Sequence, residues 1–152
     1  MARLLPGTGL RVRRSRRDDL TQLGALLGPD ADGWRARSFR RIVADLGSDV
    51  YVAEGPGGEI VGVVSVVYAR SLVHGGLSAM LDGARARHRP ARALLAPLVA
   101  FAEERARKRG CRRLTAWVAR DDAELRATLL DRGYVTGELM VAQLAVGRSA
   151  PA

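Results

Sequence analysis

The sequence contains little cysteine and few aromatic residues. Its 152 residues include one cysteine, Cys111, and only 5% are Phe, Trp or Tyr. A single cysteine excludes a disulfide within the chain and is typical of a reducing compartment. We interpret Cys111 as a small buried residue at the start of a strand. The few aromatic side chains disfavour a nucleic-acid-binding module, because such modules commonly stack bases on aromatic rings.

Long hydrophobic runs and several familiar motifs are also absent. The longest apolar run, residues 60–69, is interrupted by Gly62 and Ser65, and it is shorter than the roughly 20 residues of a membrane-spanning helix. The N-terminal residues lack the apolar core of a secretory signal. There is no Cys/His spacing for zinc, no Gly-x-Ser-x-Gly elbow and no Gly-Lys-Ser/Thr phosphate loop. We therefore predict a cytoplasmic protein without a membrane segment or a bound metal.

The positive charge of the chain comes almost entirely from arginine. The formal net charge is +9, from 25 Lys and Arg against 16 Asp and Glu, and Lys108 is the only lysine. A GC-rich genome produces arginine-rich usage of this kind. A basic excess also attracts phosphate groups, either of a nucleotide-like cofactor or of nucleic acid. Both origins of the charge remain open at this point.

The first half of the chain has the hydrophobic patterns of three strands and two helices. Ser15 is the predicted N-cap of the first helix, and Asp18 completes a variant capping box. The Gly-Pro-Gly-Gly stretch at 55–58 predicts the turn of a hairpin. The predicted elements are strands at 10–12, 50–54 and 59–70, and helices from the Ser15 cap to Leu27 and from Trp34 to Leu46.

The second half predicts a strand, a long helix, a strand and a final helix. The first strand covers 77–82, and the second covers 113–119. The helix between them would cross one face of the sheet, in the right-handed sense that nearly all such connections have. The final helix is capped by Asp121 or Asp122, and residues 139–146 supply one or two further strands. We predict one domain over residues 1–152, with a mixed sheet and helices on both faces around a core at about 10–146.

Two stretches carry a resemblance to a known family. They are RALLAPLVAFAEERARKRGCRRLTAWV and DDAELRATLLDRGY. In this order of elements the chain resembles the GNAT superfamily of N-acetyltransferases over residues 10–146. The first stretch is similar to the family's pyrophosphate-binding helix and the strand after it. The second is similar to the family's segment that closes with Gly-Phe or Gly-Tyr, here Gly133-Tyr134. The resemblance implies an α/β fold with a six- to seven-stranded mixed sheet flanked by four helices.

The resemblance also implies a cofactor site. Acetyl-CoA would bind as co-substrate in a V-shaped gap between the strands at 77–82 and 113–119. Its pantetheine arm would pair with the edge of the first strand, and its pyrophosphate would lie on the loop before Arg92. An acceptor amine would attack the thioester directly. The residues that the resemblance assigns to cofactor binding are Leu81, Arg87, His88, Arg89, Ala91, Arg92 and Asp122.

The sequence departs from the family pattern at two places. The family's loop reads Arg/Gln-x-x-Gly-x-Gly/Ala, whereas residues 86–91 here read Ala-Arg-His-Arg-Pro-Ala, and only Ala91 matches. Guanidinium groups of Arg85, Arg87, Arg89 and Arg92 would replace the missing backbone contacts, because charged donors bind phosphate strongly. Alternatively, they form a solvated arginine cluster. The family's tyrosine acid is replaced by Leu129, which cannot protonate a leaving thiolate.

Asp82 is the predicted catalytic residue. It stands at the carboxyl end of its strand, where it would deprotonate an incoming ammonium directly or through water. The alternative is a solvated turn residue before Gly83. Glu54 is a weaker candidate for the same role. Trp117 is interpreted as a core residue, with the wall of an acceptor pocket as the alternative.

Three functions remain open. The first is an acyl-CoA-dependent N-acetyltransferase that acts on a primary amine. The second is a GNAT-fold protein that has lost catalysis and serves as an acyl-CoA-binding or regulatory subunit. The third, a basic nucleic-acid-binding module, has no recognised motif. The sequence does not name the acceptor, and it leaves open whether the chain forms a homodimer.

Overall fold

The computed structural model describes residues 2–87 and 91–137. Its strands are β1 (Arg3–Leu4), β2 (Arg11–Arg14), β3 (Ser48–Glu54), β4 (Ile60–Arg70), β5 (Leu77–Ala86) and β6 (Arg113–Ala116). Its helices are α1 (Leu20–Leu27), α2 (Trp34–Ala44), α3 (Arg92–Lys108) and α4 (Ala123–Asp131). The strands that we predicted within 139–146 lie outside the described residues.

The described strands form one sheet in the order β1-β2-β3-β4-β5-β6. Neighbouring strands are antiparallel except for β5 and β6, which are parallel. Helix α3 connects these two strands, as the strand-helix-strand pattern predicts. The predicted mixed sheet with four helices is therefore confirmed.

The sheet separates two hydrophobic cores, because successive residues of a strand point to opposite faces. Val50 and Val52 of β3 pack with Leu23 of α1 and Phe39 of α2. Tyr51 and Ala53 instead join the larger core, which contains the inward residues of α3 and α4. Helices α1 and α2 thus cover one face of the sheet, and α3 and α4 cover the other.

Several element boundaries differ from the prediction. Strand β1 was not predicted, because two residues are too few to show a hydrophobic period. Strand β5 extends to Ala86 rather than Asp82, because the eleven-residue β4 offers partners as far as Gly62. Helix α2 ends at Ala44 rather than Leu46. Asp45 ends it, since its carboxylate accepts hydrogen bonds from the Gly47 amide and the Ser48 hydroxyl, each at 2.9 Å.

The start of α1 is built by Asp19, and the predicted cap with Ser15 and Asp18 is wrong. Residues 17–19 form a 3-10 turn that begins after Arg16. This turn places the carboxylate of Asp19, rather than that of Asp18, next to the Arg16 amide. The Asp19 carboxylate accepts from the Arg16 amide at 2.6 Å and from both terminal nitrogens of Arg13 at 2.8 Å. Burial alone would raise the pKa of Asp19, but these hydrogen bonds outweigh it, and the pKa lies below its usual value of 3.8.

A lowered pKa makes this turn sensitive to acid. The ionised Asp19 stabilises the folded chain above its unfolded pKa, and this stabilisation is lost as the pH falls from about 5 through the lower folded pKa. We expect the free energy of unfolding of Asp19→Asn to decrease less steeply below about pH 5 than that of the wild type. Urea unfolding at a series of pH values measures this difference. Asp18→Asn, at an exposed position, serves as the control. Parallel acid profiles for Asp19→Asn and the wild type would contradict this role.

A second buried carboxylate, Asp49, joins β3 to three neighbouring elements. It is completely buried. Its Oδ1 accepts from Nη2 of Arg109 at 3.1 Å and lies 3.6 Å from Nη2 of Arg14, and its Oδ2 accepts from the Tyr68 hydroxyl at 3.0 Å. The Arg109 guanidinium also lies 4.2 Å from the centroid of the Tyr68 ring. Asp49 therefore fastens the end of α3 to β2, β3 and β4.

Replacing Asp49 by asparagine removes the negative charge that these partners share. We expect Asp49→Asn to lower the free energy of unfolding by about 2 kcal/mol, since hydrogen bonds to a charged group are lost while the partly exposed Arg14 and Arg109 remain hydrated. Urea denaturation measures the difference. Asp18→Asn should change stability by less than about 0.5 kcal/mol, and an equally small change for Asp49→Asn would show that the cluster contributes little.

Candidate active site

The parallel strands β5 and β6 separate after four residue pairs. Pairing runs from Ser78 opposite Arg113 to Leu81 opposite Ala116. The Trp117 amide still donates to the Leu81 carbonyl at 3.1 Å. Beyond this point β5 continues to Ala86 beside β4, while the chain after Trp117 runs toward α4. The strands therefore open a gap at their carboxyl ends.

A β-bulge at Asp82 determines which backbone groups of β5 face the gap. Ser65 of β4 pairs with Gly83 and Val66 pairs with Leu81, so Asp82 is an extra residue without a partner. In a strand, every second residue points its N–H and C=O groups toward the same neighbouring strand. An inserted residue shifts this alternation by one position. Before it, the Leu81 carbonyl faces β6; after it, the Arg87 amide donates to Val61 of β4 at 2.8 Å. By alternation, the backbone groups of Ala84 and Ala86 face the gap, where no described strand pairs with them.

A cavity of about 910 Å³ occupies the gap. Its walls include residues 82–85 of β5, Ala116 at the end of β6 and residues 117–119 after it. It also touches Leu23 and Phe39, which belong to the core beneath α1 and α2, and Leu125, which belongs to the core beneath α3 and α4. Because the sheet separates these two cores, the cavity passes through the sheet at the split.

Asp82 lies in the wall of this cavity. Its side chain is exposed, and no described residue donates a hydrogen bond to it or forms an ion pair with it. Glu54, the weaker candidate, lies outside the lining and accepts from Nε of Arg13 at 2.5 Å. The carboxylate that the described structure leaves available in the cavity is therefore Asp82.

Arg85 and Asp122 form an ion pair from one side of the gap to the other. Asp122 caps α4 by accepting from the Leu125 amide at 3.1 Å, and its second oxygen pairs with the Arg85 guanidinium. The same guanidinium donates to the Ala84 carbonyl at 3.0 Å. We predicted a loop at Arg85, whereas it lies on β5 and lines the cavity. Arg85 is thus a site residue that the strand prediction, which ended at Asp82, left out.

The other predicted cofactor residues have different positions. Leu81 is completely buried and lies at the last paired position before the gap, where its carbonyl accepts from the Trp117 amide. Ala91 caps α3, where its carbonyl accepts from the amides of Leu94 and Leu95 at 3.0 and 2.9 Å. Arg87 and Arg92 are exposed, on either side of the predicted phosphate loop, and Arg92 pairs with Asp131. His88 and Arg89 lie outside the described residues.

No tyrosine, the acid that the resemblance implies, lines the cavity within the described part of the chain; the hydroxyl in that lining belongs to Ser65, an aliphatic alcohol and a weak acid. Leu129 is buried. Thr128 is also buried and donates to the Glu124 carbonyl at 2.8 Å. Burial and the neighbouring Glu103 carboxylate raise the pKa of Tyr134, and burial raises the pKa of the Cys111 thiol. The hydroxyl and thiol groups of Thr128, Tyr134 and Cys111 are poor proton donors, and they lie away from the cavity.

Trp117 is a wall residue. It is 59% exposed and lines the cavity, so its interpretation as a core residue is wrong. The pattern of β6 suggested burial because the strand was predicted to continue to Ala119, whereas it ends at Ala116. In residues 2–87 and 91–137, no helix is long and apolar enough to cross a membrane, and no group of three or more metal-binding side chains occurs.

Comparison with known proteins identifies the fold. No protein-family profile and no curated protein matches the sequence. Among solved structures, a transcriptional regulator from Bacillus halodurans C-125 is 24% identical, with a TM-score of 0.74 over 90% of this chain and 99% of that one. An aminoglycoside 6'-N-acetyltransferase from Acinetobacter baumannii is 16% identical, with a TM-score of 0.75 over 91% of this chain and 100% of that one.

A third similar structure contains CoA. It is an aminoglycoside N-acetyltransferase in complex with CoA, 14% identical, with a TM-score of 0.69 over 88% of this chain and 98% of that one. These similarities confirm the predicted architecture. The chain has the fold of the GNAT acetyltransferases.

Proposed function

We propose that the protein is an acyl-CoA-dependent N-acetyltransferase that transfers an acetyl group to a primary amine. The observation that carries this proposal is the cavity that passes through the sheet where β5 and β6 separate. Two reactants can reach one point from opposite faces of such a sheet, which direct transfer between them requires. The shared fold of acetyltransferases, one of them bound to CoA, supports the same assignment.

The open edge of β5 suits the pantetheine arm of acetyl-CoA. Ala84 and Ala86 present backbone groups to the gap, and an amide-containing chain can pair with them as an added strand does. Arg85 covers the Ala84 carbonyl and would turn toward the cofactor when the arm binds. Arg87 and Arg92 flank the predicted phosphate loop, where the start of α3 and their positive charge favour the pyrophosphate.

Asp82 serves as the general base in this proposal. It accepts a proton from the substrate ammonium, directly or through water, so that the free amine attacks the thioester carbonyl. The new bond joins nitrogen to the carbonyl carbon, and backbone amides at the β5 edge stabilise the oxyanion. The nitrogen loses its second proton to solvent, and when the tetrahedral intermediate collapses, the carbon–sulfur bond breaks. Solvent protonates the CoA thiolate, since Leu129 occupies the acid position.

A second candidate is a GNAT-fold protein that binds an acyl-CoA without turnover. The observation that favours it is that no tyrosine, cysteine or histidine lines the described part of the cavity. The glycine-poor loop at 86–91 points the same way. This candidate keeps cofactor binding but predicts no thiol release with any amine.

The role of Asp82 separates the two candidates. We expect Asp82→Asn to lower kcat/KM for amine acetylation at least about 100-fold, the usual contribution of a general base. Thiol release measures the rate, and the increase of Tm with acetyl-CoA should stay as in the wild type. Asp121→Asn, an exposed carboxylate outside the cavity lining, is the matched control. Full activity of Asp82→Asn would exclude Asp82 as the base, and binding without turnover in the wild type would favour the second candidate.

A further inference from the structure

The end of the cavity beneath α1 and α2 has a mainly apolar wall. Leu23, Leu27, Phe39 and Ile42 supply the helix side, and Trp117 supplies the strand side. Leu23 and Phe39 are almost completely buried, whereas Ile42 is 37% exposed and Trp117 is 59% exposed. This wall is therefore partly open, and it offers contact area to an apolar group.

Some charged side chains of the lining form an ion pair within the protein, and others do not. Arg85 and Asp122 pair with each other, so they offer no net charge. Arg35 and Asp82 have no ion-pair partner among the described residues. The lining thus presents one guanidinium and one carboxylate to a bound molecule. A polycationic amine would meet only one unpaired acid there.

Arg35 is held in place by a neutral carbonyl acceptor, and the carboxylate of Asp30 lies near it without forming a direct ion pair. Its Nη1 donates to the Gly28 carbonyl at the end of α1, at 2.9 Å. The nearby Asp30 carboxylate accepts from the amides of Arg35 and Ala36 at the start of α2, at 3.2 and 2.9 Å. The other guanidinium nitrogens make no hydrogen bond to a described residue, although the positive charge of Arg35 contributes, after the hydrogen bond from the Ala36 amide, to lowering the pKa of Asp30. A planar fork of this kind matches a carboxylate, which accepts two parallel hydrogen bonds.

We propose that the acceptor is a primary amine with an apolar body and a carboxylate, as in a hydrophobic amino acid. Its carboxylate binds Arg35, its apolar body packs on Phe39 and Trp117, and its amine is presented to Asp82. This proposal rests on the proposed acetyl transfer and names its substrate class. Arg35 is then the residue that selects the acceptor.

The test compares two products that differ only in the carboxylate. Calorimetric titration with N-acetyl-L-phenylalanine and with N-acetylphenethylamine, each in the presence and absence of CoA, measures the two affinities. Their ratio reports the contribution of the carboxylate, the group that we place on Arg35. We expect the carboxylate compound to bind at least about tenfold more tightly, as a charge-assisted hydrogen bond provides. Arg35→Gln should abolish the preference, and Arg35→Lys should restore part of it. Arg41→Gln, at an exposed position on α2, should leave it intact.

Turnover gives the second readout. L-phenylalanine should be acetylated with a higher kcat/KM than phenethylamine or kanamycin. Arg35→Gln should remove this advantage over phenethylamine, whereas Arg41→Gln should keep it. Equal binding of the two products, binding of neither, or a preference that survives Arg35→Gln would overturn the acceptor proposal. Carboxylate-selective binding without thiol release would support it and overturn the acetyl transfer instead.

Discussion

The insertion of Asp82 into β5 is the constraint on which the site depends. Strands β4 and β5 stay paired on both sides of this bulge, so the extra residue must be absorbed by β5. A bulge bends its strand and shifts the alternation by which backbone groups point toward one neighbouring strand or the other. The pairing with β6 ends at the same point. One inserted residue therefore accounts for the open edge, the gap through the sheet and the exposed carboxylate in its wall.

An unpaired strand edge inside a protein needs support from the structure around it. The two cores hold the sheet from both faces. The Asp49 cluster fastens the far end of α3, and the Asp122 cap places α4 beside the gap, where Arg85 reaches it. The Arg85 guanidinium also satisfies the Ala84 carbonyl. Among these supports, the Arg85 guanidinium lies at the open edge itself, where an added chain could displace it.

Local sequence patterns predicted most of the fold. They did not predict the features that depend on contacts between residues far apart in the chain. Hydrophobic periods predicted every helix and the strand-helix-strand connection. The extent of β5 depended on partners in β4, so Arg85 was assigned to a loop. Asp18 and Asp19 are equivalent as adjacent acids, and only the 3-10 turn distinguishes them. Asp82 was predicted as a site residue because it ends the predicted strand at 77–82, and it lines the cavity from within β5. Arg35 carries no sequence signal, since its position in the lining depends on the packing of α1 and α2.

The central claim is that the edge of β5 beyond the bulge receives the cofactor as an added strand. Hydrogen exchange of single backbone amides, followed by NMR with and without acetyl-CoA, measures this pairing directly. The account predicts that the amides of Ala84 and Ala86 become protected on binding, while that of Tyr68, already bonded to the Gly47 carbonyl, stays as it was. Exchange at Ala84 and Ala86 that is unchanged at saturating acetyl-CoA would contradict it.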